Sequence, residues 1–195
     1  LRLFRLMPGL MLGLMALAAA SPAAAVGFGF ACITGNSAAD CAAGEAQISV
    51  DVSDYGAGQV LFSFSNSGPA ASSITDVYFD DGALLRISSI LDGGGVSFSR
   101  LARPRELPGA GNIDPAFETT AGFSADSDPP VQSRGVNPGE SLGIAFTLVS
   151  GATWIDVLSQ LASGELRIGV HVQGYAGGGS ESLVTALYTY REQAA

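Results

Sequence analysis

The chain has 195 residues, 9 of them basic and 18 acidic, for a net charge of −9 at pH 7, and it contains no lysine. So acidic a surface speaks against nucleic acid and anionic lipid as partners, because neutralising phosphates takes basic groups. It is compatible with divalent cations and with solubility outside the cell.

Arg2 and Arg5 precede an apolar run over residues 6–20, and Ser21-Pro22-Ala23-Ala24-Ala25 ends in an A-x-A pattern. That layout predicts a secretory signal peptide cleaved after Ala25. About 15 apolar residues fall short of the roughly 20 that cross a bilayer, and Pro8 and Gly9 interrupt their start. Residues 1–25 are therefore expected to be the signal and 26–195 a single exported domain, with no stable membrane insertion after cleavage. Losing Arg2 and Arg5 takes the net charge from −9 to −11. Cys32 and Cys41 then lie in an oxidising compartment, where a disulfide between them is the expected state.

Residues 26–30 form a short glycine-punctuated start, and residues 32–44 read as a small, polar, cross-linked loop. Alternating segments follow. Ile48, Val50 and Val52 share one face, and Val60, Phe62 and Phe64 another, as in a hairpin turned through residues 54–58. Residues 74–80 place Val77 and Phe79 inward and Asp76, Tyr78 and Asp80 outward. Residues 84–91 offer Leu85 and Ile87 to the core, and residues 96–99 make a short strand. Pro104, Pro108, Gly109 and Gly111 make residues 100–114 an irregular surface excursion. Residues 117–123 read as strand and residues 121–140 as a turn-rich loop with Pro129, Pro130 and Pro138. Leu142, Ile144, Phe146 and Leu148 then alternate cleanly. One helix is predicted, from the capping pair Thr153 and Asp156 to the stop at Gly164. Leu166, Ile168, Val170 and Val172 form the next core face, and residues 183–190 the last strand. Eight or nine short strands with glycine and proline turns predict an all-β fold. The expected form is an antiparallel, jelly-roll-like β-sandwich with one short helix, with a closed barrel as the alternative.

No nucleophile elbow, zinc, P-loop or dinucleotide motif occurs. His171 is the one histidine. It faces away from the core with Arg167 and Gln173, and no orienting partner is legible, so a surface or sheet-edge role is preferred over that of a general base. Asp76, Asp80, Asp81, Asp126 and Asp128 are calcium candidates, since calcium takes six to eight oxygens and β-sandwich loops supply them; solvated aspartates that cap turns are the alternative. Two carboxylates could also serve a hydrolase of glycosides. Trp154 belongs to the helix's apolar face. Tyr55, Tyr78, Tyr175, Tyr188 and Tyr190 are the exposed aromatics on which sugars could stack.

Four segments carry a resemblance: CITGNSAADCAAGEAQISVDV, QVLFSFSNSGPAASSITDVYFDDG, AGFSADSDPPVQSRGVNPGESLGI and LASGELRIGVHVQGYAGGGSESLV. From about Cys32 to Val184 the chain resembles exported Gram-negative proteins of the kind that usually carries a C-terminal PEP-CTERM sorting tag. The resemblance implies a non-enzymatic protein of the cell surface or extracellular matrix, associated with exopolysaccharide or biofilm. Its partners would be extracellular polysaccharide or other surface proteins. It implies no catalytic residues and no cofactor besides the calcium weighed above. Residues 190–195 read YREQAA, without the Pro-Glu-Pro, apolar helix and basic cluster of such a tag. Either the tag is absent or the reading frame is cut short.

Overall fold

The computed structural model describes residues 24–80 and 82–191. Its strands are β1 (Ala25–Cys32), β2 (Ile48–Gly56), β3 (Gln59–Asn66), β4 (Ser73–Asp80), β5 (Leu84–Asp92), β6 (Phe98–Arg100), β7 (Ser124–Ser127), β8 (Ser141–Leu148), β9 (Arg167–Gln173) and β10 (Glu181–Arg191). Three α-helices lie between them: α1 (Ala38–Gln47), α2 (Val131–Arg134) and α3 (Trp154–Ser163). Most of the predicted signal peptide, residues 1–23, lies outside the described residues.

Every pairing between strands is antiparallel. The antiparallel all-β expectation holds, and the eight- or nine-stranded sandwich differs from the structure in detail. Ten strands form one sheet, in the order β5-β8-β3-β2-β1-β10-β9-β4-β7-β6. The sheet curls until its edges meet. Across that seam the Phe98 N–H donates to Asp92 Oδ1 (3.0 Å), and Arg100 Nη2 donates to the Ser88 carbonyl (2.8 Å). The result is a nearly closed barrel. Its interior is filled rather than hollow, as expected when inward side chains are large. Phe62, Phe79 and Phe146 meet edge to face there, with ring centroids 4.6–5.7 Å apart, the arrangement aromatic quadrupoles favour.

Local differences from the sequence reading have identifiable causes. The β2–β3 ladder continues to Gly56 opposite Gln59, so the hairpin turns on Ala57 and Gly58 alone, both at positive φ, as tight hairpin turns require. Residues 38–47 are helix, not loop. Ala38, Ala39, Ala42, Ala43 and Ala46 are strong helix formers, and the Ser37 hydroxyl accepts from the Asp40 N–H as N-cap. Helix α3 forms as predicted, with its capping box and Gly164 in the left-handed conformation. In β5 the register shifts between Leu84 and Arg86. That bulge turns Leu84 inward and leaves Leu85 51% exposed, so only Ile87 of the two expected core residues is inside. Residues 117–123 are not strand; the strand starts at Ser124, inside what reads as loop.

Cys32 and Cys41 are joined by a disulfide, and no cysteine is free. The bridge sits over a buried carboxylate. Glu181 accepts the Thr34 hydroxyl and the backbone N–H groups of Asn36 (3.1 Å) and Ser37 (2.6 Å). Charge-assisted bonds of this kind compensate the burial of the charge. They pin the turn between β1 and α1 to the start of β10.

Candidate functional site

Interior residues of β4 and β9 face the core, but the opposite face of these strands is also covered. Residues 101–123 fold back over it. Tyr78, Ala102, Leu107, Phe117 and Val184 make a second, smaller apolar cluster there. Gly169 permits this packing: a Cβ at that position would lie 2.7 Å from Leu107 Cδ2 and 3.1 Å from Phe117 Cζ. Polar fastenings reinforce it. The Tyr78 hydroxyl donates to the Pro104 carbonyl (3.0 Å). The Arg167 guanidinium pairs with Asp80, donates to the carbonyls of Pro115 (2.7 Å) and Ala116 (2.6 Å), and lies 5.5 Å over the Phe117 ring. The irregularity predicted for this excursion is real, but its role is that of a cover.

Under the cover a polar row crosses four strands. Asp126 on β7 stands opposite Asp76 on β4, Asp76 opposite His171 on β9, and His171 opposite Ser182 on β10. The β4 ladder shifts register between Ile74 and Asp76, and bulges commonly re-aim a side chain in this way. Asp76 is 2% exposed. Its Oδ2 accepts the Thr75 hydroxyl (2.9 Å) and faces His171 Nδ1 (3.2 Å). With a proton on Nδ1, His171 donates to it. Asp76 Oδ1 is buried and has no hydrogen-bond donor among the described residues. Burial, then the charge of Asp76 and a hydrogen bond between the two carboxyls, push Asp126 up to about 6; a bond from the Arg103 backbone N–H opposes the rise. Two carboxyls this close favour one shared proton. Burial first, then the charges of Asp76, Asp126 and Glu106, also push the Tyr78 hydroxyl far up.

The five aspartates thus have different surroundings. Asp76 and Asp126 are brought together. Asp80 is committed to Arg167 and to the Glu118 N–H (3.1 Å). Asp128 accepts the hydroxyls of Ser97 (2.7 Å) and Ser99 (2.8 Å), which hold its carboxyl below the usual range. Asp81 lies outside the described residues. Two carboxylates are a small part of a calcium shell. Among the described residues, Cys32, Cys41 and Glu181 bring three donor atoms within 4.8 Å of one another, but the sulfurs are bonded to each other and are not thiolates.

The stacking candidates also differ from expectation. Tyr55 is 46% exposed, but Tyr78 and Tyr175 are buried, because each is overlaid by a loop or helix that the strand pattern does not announce. The side chains of Tyr188 and Tyr190 lie outside the described ones. The pairing of His171 with Asp76 was missed, and a signal for it existed. Asp76 and Asp80 are four residues apart, as are Arg167 and His171. Laid antiparallel, the acids meet the bases, as they do in the β4–β9 register. Among the described residues, no helix is long and apolar enough to cross a membrane. No protein-family model, curated protein or solved structure matches the chain at a significant level.

Proposed function

We propose that the chain is an exported, non-catalytic β-domain of the cell surface or extracellular matrix, with extracellular polysaccharide or other surface proteins as partners. The observation that carries this reading is the Cys32–Cys41 disulfide, built onto the buried Glu181 hub. Such a bridge persists in oxidising compartments and is rare where thiols are kept reduced. The polar row supports the non-catalytic part. It contains a serine, a histidine and an aspartate, but Ser182 is 0% exposed and Asp76 2%. A nucleophile must reach its substrate, and this one lies beneath the chain.

Fractionation of a Gram-negative host expressing the chain tests the reading. The protein is expected outside the inner membrane, shortened by the signal segment, and with faster mobility on non-reducing than on reducing gels. Retention in the cytoplasm with both thiols alkylatable would overturn it.

A further inference from the structure

A cavity of about 590 Å³ opens between residues 101–106 and 119–122 of the cover, a size within the range of small-molecule sites. Arg103 and Arg105 line it, and both are exposed. Arg100 and Arg167 are spent on the seam and the cover. By contrast, the guanidinium groups of Arg103 and Arg105 make no hydrogen bond or ion pair with the described residues. Unpaired guanidinium forks match carboxylate and phosphate oxyanions.

The other walls narrow the ligand. Glu106 holds the Thr119 N–H with Oε2 (3.2 Å), which leaves Oε1 to accept from a hydroxyl. Thr119 Oγ1 is buried on this wall without a partner. Leu101 lines the cavity too, 60% exposed and at a φ of +75°. Non-glycine residues in the left-handed region store strain that tends to collect at ligand sites, and an exposed leucine offers an apolar face. Glu106 on the wall and Asp126 beneath, whose carboxyl takes the Arg103 backbone N–H, would repel a dianion. A single carboxylate on a hydroxyl-bearing body satisfies all of these groups; a phosphate does not.

We propose that this cavity binds a small hydroxylated monocarboxylate, with Arg103 and Arg105 on the carboxylate, Glu106 on a hydroxyl and Leu101 against the body. The site does not depend on where the protein resides, so its failure and that of the export reading are separate results. Calorimetric titration of the full chain with sodium glucuronate at pH 7 is expected to show binding. Glucose and inorganic phosphate should bind about tenfold more weakly or worse, since each loses a charge-assisted pair or meets Glu106. The double variant Arg103→Ala/Arg105→Ala should keep its melting temperature and lose at least about tenfold in glucuronate affinity. If the double variant melts early, Arg105→Gln, which keeps a polar chain of similar length, should show the loss at an unchanged melting temperature. Glucuronate binding no tighter than glucose, phosphate binding tighter than glucuronate, or variants that bind like the parent would each overturn the proposal.

Discussion

Asp126 is the residue whose protonation the fold alters most legibly. Its carboxyl is raised to about 6 from an ordinary value of 3.8. The folded state therefore binds more protons than the unfolded one between those values, and stability falls as pH rises through that window. The contribution is fully present below about 4 and lost above about 6. Asp126→Asn keeps a donor toward Asp76 and removes the charge. Relative to the parent, its melting temperature is expected to be higher at pH 7.5, with the advantage vanishing by pH 4. A pH-independent difference would refute the shared proton. Asp128, two residues on, is shifted the opposite way by serine hydroxyls. No spacing rule could separate these two aspartates in the sequence, because what distinguishes them arrives from β4 and from residues 97–99.

The element that depends most on a single side chain is the cover. Arg167 joins Asp80 on the neighbouring strand to two carbonyls and a ring on the cover. Arg167→Ala leaves Asp80 buried and unpaired, and should cost about 3 kcal/mol in urea unfolding. Arg167→Lys keeps the charge, but a compact ammonium cannot reach the three oxygens and stack on Phe117 together, so it is expected to recover less than half of that loss. Full recovery would reduce the clamp to a simple ion pair. The strands that build this face were legible: the alternation of residues 74–80 and 166–172 gave the correct inner residues Val77, Phe79, Ile168, Val170 and Val172. The cover was not. Leu107 lies in proline- and glycine-rich text with no period, Phe117 opens a stretch that reads as strand and is not one, and the packing of both depends on the space that Gly169 leaves. Helix α1 was missed for a different reason. Its cysteine spacing reads as a loop staple, while its alanines and Ser37 cap carry the helix signal.

At the scale of the whole molecule, one curled sheet replaces the sandwich that turn spacing suggests, because alternation specifies which residues face inward and not which strands are neighbours. The disulfide closes a loop of sequence separation 9 between the end of β1 and helix α1. Replacing Cys32 and Cys41 by serine should cost about 2–3 kcal/mol, measured as the drop in unfolding free energy; a loss below about 0.5 kcal/mol would mean that the Glu181 hub alone fixes the turn.

Strand order has a consequence in time. β1 lies in the middle of the sheet, between β2 and β10, so the first strand to emerge must wait for the last before its second edge is paired. β4 likewise waits for β9. Pairings so distant along the chain close slowly. A chain made from its N-terminus can form the β2–β3 hairpin early, yet it cannot complete the barrel until β10 has followed. Until β10 has been made, the topology leaves β1 with one edge unpaired and the barrel open.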